Sequence, residues 1–101
     1  MWPFSRNVKG KVDELIFKLK DADRSVRESS VRKMIAVGKP AVEPLIQYLE
    51  HPDKWARLMA AAALGKMRDP RAIRPLEQAL GDPDEGVRYM AQTALKELGR
   101  G

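Results

Sequence analysis

The chain has 101 residues, room for one domain, and its 44% hydrophobic and 33% charged residues suit a folded globular protein rather than a disordered one. It has no cysteine, which excludes disulfide scaffolds, thiolate metal centres and cysteine nucleophiles, and its single histidine, His51, excludes histidine-rich metal sites. Nineteen Lys and Arg against fourteen Asp and Glu leave a net charge of +5, and the whole excess lies in residues 1–40, which hold ten bases and five acids.

In chain order, residues 1–11 read as an N-terminal extension or cap. Met1-Trp2-Pro3-Phe4 is apolar for only four residues, too short for the core of a signal peptide. No later apolar run approaches the roughly 20 residues needed to span a bilayer. A cytoplasmic protein is expected. Trp2 and Phe4 either fold over the open side of the first repeat or make weak contact with a membrane surface.

Residues 12–101 form a single domain of three repeats, 12–40, 41–70 and 71–101, which superpose at shifts of 30 or 31 residues. Leu15, Leu45 and Leu76 align, as do Leu19, Leu49 and Leu80. Asp23, Asp53 and Asp84 align too, each followed four residues later by Arg27, Arg57 or Arg88. Each repeat predicts two helices. The first carries its apolar residues at i, i+3 and i+7, as in Val42, Leu45 and Leu49, with Pro44 and Pro75 in the first turn, where a missing N–H costs nothing. A break follows at Asp21-Ala22-Asp23, His51-Pro52-Asp53 and Asp82-Pro83-Asp84, whose third residue is placed to cap the next helix. The second helix carries a stripe at i, i+4, i+8 and i+11: Val26, Ser30, Met34 and Val37, then Ala56, Ala60, Leu64 and Met67, then Val87, Ala91, Leu95 and Leu98. Gly38 and Gly99 suit helix C-termini. A helical pair this short cannot bury its apolar face alone, so the copies must stack into a solenoid. The expected fold is all-α, a right-handed α-solenoid of three helical hairpins.

Val42-Glu43-Pro44-Leu45-Ile46, Pro52-Asp53, Arg57 and Ala60-Ala61-Ala62-Ala63-Leu64-Gly65 together resemble the PBS-lyase type of HEAT-like repeat, and Ile73-Arg74-Pro75-Leu76 through Ala94-Leu95 repeats the pattern. The resemblance covers residues 12–100, with a degenerate first copy. It implies repeats found in bilin lyase subunits and in adaptor and scaffold proteins. Deoxyhypusine hydroxylases resemble the same repeat but carry iron-binding His-Glu pairs early in their second helices. Here those positions are Arg57-Leu58-Met59 and Arg88-Tyr89-Met90, so that activity is not carried over.

No catalytic, cofactor or metal site is expected. The Asp and Arg columns recur in every copy, as caps and inter-repeat ion pairs do and a single active site does not. The resemblance places the second helices on the concave surface. There Trp55, Leu58, Met59, Tyr89 and Met90 form a candidate apolar patch of the kind found at interaction surfaces. Arg24, Arg27, Arg32, Lys54 and Arg57 would steer acidic groups. The expected function is a non-enzymatic protein–protein interaction module. The alternatives are nucleic-acid or anionic-surface binding through the basic first repeat, and an accessory subunit resembling bilin lyase components. Gln92 and Glu77 stand in the last copy where earlier copies are apolar, and Ser30 and Lys33 stand in the first where later copies have alanine. Polar ends of this kind predict a complete three-repeat monomer, with His51 a surface residue.

Overall fold

A computed structural model describes the backbone of residues 3–100 and the side chains of residues 8–100; the Trp2 and Phe4 side chains lie outside the described residues. Among the described residues six α-helices follow in order: α1 (Pro3–Phe17), α2 (Arg24–Val37), α3 (Val42–Tyr48), α4 (Lys54–Met67), α5 (Ile73–Ala79) and α6 (Glu85–Glu97). They pair as three hairpins, α1–α2, α3–α4 and α5–α6, and no strand occurs among the described residues. Residues 3–11 belong to the same continuous helix as the start of the first repeat.

Each second helix starts where the sequence places its cap. Asp23 accepts the N–H of Ser25, Asp53 those of Trp55 and Ala56, and Asp84 that of Val87, each cap contributing about 1 kcal/mol. Gly38 ends α2 at φ 83°, a backbone conformation that side chains with a Cβ resist. The end of α4 has no such glycine. Arg68 itself takes the left-handed conformation, at φ 56°, and Asp69 then accepts the N–H of Arg71 to open the 3-10 turn Pro70–Ala72.

The core is one continuous seam. Leu19, Met34, Leu45, Leu64 and Leu76 are fully buried and are joined by alanines from the second and third hairpins. α4 packs against α2 on one side and α6 on the other, whereas the first helices touch one another far less. Close approach depends on small side chains. A Cβ built on Gly65 would lie 2.7 Å from the Cα of Ala94 and 2.8 Å from its Cβ. Lys66 of α4 also pairs with Glu97 of α6 at 2.6 Å.

Two stripe positions depart from the sequence expectation. Leu80 is 43% exposed although its counterparts Leu19 and Leu49 are buried, because among the described residues nothing lies on the far side of the third hairpin. Ser30 is buried in the first hairpin, at the place filled by Ala60 and Ala91, so of the expected outward pair only Lys33 is exposed.

Gly65→Ala is expected to cost about 1–3 kcal/mol by overpacking the α4–α6 contact. Gly10→Ala, in α1 with open space around its Cβ, is expected to gain up to about 1 kcal/mol. Denaturant unfolding of both variants checks the contrast.

Acid should weaken the fold through its carboxylates. Hydrogen bonds from the Arg71 side chain and backbone hold Asp69 down at about 2, against an ordinary 3.8. Hydrogen bonds from Ser25 lower Asp23, and Arg24 lowers Glu28. A depressed carboxylate stabilises the fold fully above its unfolded value and loses that contribution as pH falls through the folded value. The Tm is therefore expected to be level from pH 7 to about 5 and to fall between about 4 and 2, followed by circular dichroism.

Candidate interaction surface

The three second helices start along one edge of the molecule, and each carries an arginine one turn beyond its cap. These arginines share one anchoring scheme. Arg27 Nη1 donates to the carbonyls of Asp21 (2.7 Å) and Ala22 (3.1 Å). Arg57 Nη1 donates to those of His51 (2.8 Å) and Pro52 (2.9 Å). Arg88 Nη1 donates to those of Asp82 (2.7 Å) and Pro83 (3.1 Å). Each guanidinium thus stitches its own inter-helix turn to the helix that follows.

The scheme differs in what meets the other edge of the guanidinium. Arg57 reaches forward one repeat, its Nε donating to Asp82 Oδ2 at 2.8 Å and its Nη2 to Oδ1 at 3.1 Å. This two-point pair is largely buried, with side chains 14% and 7% exposed. The acid is not one of the aligned Asp column; it stands two residues earlier and also accepts the N–H of Asp84 at 2.8 Å. One repeat back, that loop position is His51. Its Nδ1 accepts the N–H of Asp53 at 2.9 Å, and its ring rests on Tyr48 with centroids 4.7 Å apart. His51 is therefore half-buried and structural rather than a plain surface residue. It offers Arg27 no carboxylate. Arg27 is only 6% exposed, yet its Nε is buried without a hydrogen-bond partner. The Trp55 ring covers it, 4.0 Å from guanidinium carbon to ring centroid.

The other candidate residues fall into three groups. Trp55 (37%) and Tyr89 (66%) are exposed, on α4 and α6. Leu58 is half-buried and leans over the start of α6, where its Cδ1 lies 3.2 Å from a Cβ built on Gly86. Met59 and Met90 are half-buried and pack against the core. Among the bases, Arg24 is exposed but paired with Glu28 at 2.8 Å, a contact that raises its pKa. Arg32 and Lys54 are exposed, with the Lys54 ammonium 5.8 Å from the Trp55 ring. Arg57 is engaged by Asp82, whereas Arg27 lies under Trp55 with its Nε unpartnered.

Sequence reading did not single out the exposed Leu80 and Phe17, the latter beneath the Lys20 ammonium at 4.5 Å. Nor did it assign Asp82 to Arg57. The clue lay in a further aligned column, Asp21, His51 and Asp82, where only the middle copy departs from aspartate.

Arg57→Ala leaves the buried Asp82 carboxylate unpaired and is expected to cost about 3 kcal/mol or more. Arg88→Ala removes only exposed bonds to carbonyls and is expected to cost about 1 kcal/mol. Equilibrium unfolding of the two variants checks this difference.

Among the described residues no helix is long and apolar enough to cross a membrane, and no three His, Cys, Asp or Glu side chains are grouped as metal ligands. No curated protein matches the chain. The family model described as HEAT repeats matches residues 12–96, and the structure lays those residues out as three stacked hairpins. The architecture is that of a scaffold for protein–protein interaction. On both the matched span and the fold, the chain belongs to the HEAT-repeat family.

Proposed function

We propose that the protein binds a partner protein along the face formed by the second helices, as a monomeric module. The observation that carries this reading is the exposure of two aromatic side chains, Trp55 and Tyr89, on adjacent second helices, with Leu58 between their two repeats. Large aromatics dominate the energetics of protein interfaces, and Tyr89 is largely exposed while Trp55, stacked on Arg27, keeps more than a third of its surface open. Met59 and Met90 form the floor of this surface, and Arg24, Arg32 and Lys54 set a positive rim that draws acidic groups to it.

The second helices, about twice the length of α3 and α5, pack against one another along the stack and so offer the longer continuous face. Side-chain identity at the two ends supports a monomer. Lys96 occupies in α6 the position that Gly65 occupies in α4, and Lys33 occupies in α2 the position of Ala94. Where Gly65 and Ala94 meet at backbone distance, a head-to-tail copy would oppose two lysines.

The test is affinity capture from the source lysate with wild-type protein and with the double variant Leu58→Ser/Tyr89→Ser. The expected result is a partner retained by wild type and lost from a variant that still folds, with affinity reduced at least about thirtyfold if the pair contributes 2 kcal/mol. Equal capture by both forms, or binding of an oligonucleotide with steep salt dependence, would contradict the reading.

A further inference from the structure

The vacant edge of Arg27 deepens this interaction reading, on which it rests. Within one molecule the same arginine occurs with its carboxylate and without it. At the second junction Arg57 holds Asp82 through two hydrogen bonds. At the first junction Arg27 is anchored by the same two carbonyl contacts, but the matching loop position is His51, already committed to the N–H of Asp53. The result is a guanidinium that is 6% exposed, with a buried Nε that has no acceptor. An unsatisfied buried donor is costly, and one on a charged group more so. Among the described residues no salt bridge joins the first repeat to the second, whereas the second and third are joined by Arg57–Asp82 and Lys66–Glu97.

Trp55 marks the entrance. Its counterpart one repeat on is Gly86, so no ring covers Arg57, and its counterpart one repeat back is Ser25. The indole lies over the guanidinium but is itself more than a third exposed. The two anchoring carbonyl contacts use Nη1 alone, so the Nε–Nη2 edge is not engaged by them. Residues 1–40 hold ten bases against five acids, two of which, the exposed Asp23 and Glu28, lie within electrostatic range of Arg27, and Lys54 lies beside the indole.

We propose that Arg27 is a receptor for an acidic side chain of the partner protein. An Asp or Glu carboxylate would enter beneath Trp55 and take the two-point position that Asp82 takes on Arg57. A planar carboxylate is the group that the repeat itself places on this fork, and it matches the fork's geometry. The indole then packs against the residue carrying the acid.

The test follows Trp55 fluorescence in a Trp2→Phe background, where it is the sole tryptophan, on titration with an N-acetylated hexaglutamate peptide. Hexalysine and a single-stranded oligonucleotide serve as comparison ligands. His51→Asp supplies the internal carboxylate that the second repeat lacks, and Arg27→Met removes the fork while keeping an apolar stem. Arg74→Gln makes the same one-unit change in charge as His51→Asp, on the exposed surface of α5. The expected result is a saturable spectral change with hexaglutamate, preserved in Arg74→Gln and weakened at least tenfold in both His51→Asp and Arg27→Met. His51→Asp should also raise the Tm, which separates a filled site from a damaged fold. No saturable change, equal binding by wild type and His51→Asp, or tighter binding of the oligonucleotide would overturn the proposal. If hexaglutamate fails while capture of a partner still depends on Leu58 and Tyr89, this inference falls and the interaction reading stands.

Discussion

The contact between α4 and its two neighbours is the constraint on which the molecule depends. Three short hairpins cannot each enclose a core, and their apolar residues are buried only because the second helices lie almost backbone to backbone. Ala60, Ala61, Ala63, Ala91 and Ala94 are all fully buried, and Gly65 meets Ala94 where even one methyl group does not fit. Small residues here exchange side-chain area for closeness, and the larger residues, Leu19, Met34, Leu45, Leu64 and Leu76, fill the space between the two helix layers. Everything at the surface inherits its position from this spacing, including the row of arginines at the start of the second helices.

The two junctions built on that spacing are not equivalent. Between the second and third repeats, α4 and α6 are tied near one end by Arg57 and Asp82 and near the other by Lys66 and Glu97. Arg71 adds an exposed link from the third repeat back to Glu43 at 3.6 Å. Between the first and second repeats the tie is Arg27 stacked beneath Trp55, with apolar contacts around it. Cation–aromatic stacking is worth less than a buried two-point ion pair broken from one side. One half of the solenoid is therefore fastened, and the other retains an unsatisfied donor under a partly exposed ring. An interaction module gains from that division, because the fastened half holds the shape while the looser half adapts to a partner.

The fold was legible because its signals are local and occur three times. The Leu15, Leu45 and Leu76 column sets the inward face of the first helices, and the Asp23, Asp53 and Asp84 column marks where the second helices begin; both follow from helix geometry and capping alone. What one sequence could not convey was pairing between copies. That Arg57 reaches Asp82 rather than Asp53 depends on the offset between stacked hairpins, which no spacing within a repeat encodes. Leu80 matches the buried Leu49 in sequence and differs from it in having no hairpin stacked beyond it among the described residues. His51 looked incidental because a solvent-facing turn is the ordinary place for a histidine. Its importance appears only beside Asp82, as the carboxylate missing from the first junction. The candidate surface was legible in outline: the exposed Trp55 and Tyr89 were identifiable from the stripe, whereas the burial of Arg27 beneath Trp55 was not.

Native-state hydrogen exchange, read amide by amide in low denaturant, tests most directly whether one seam with unequal junctions holds the molecule together. The account predicts that α4 and α6 exchange last and with the same opening free energy, as one cooperative unit, while α2 opens earlier at lower denaturant concentration. Equal protection of α2 and α6, or exchange of the three helices as independent units, would contradict it.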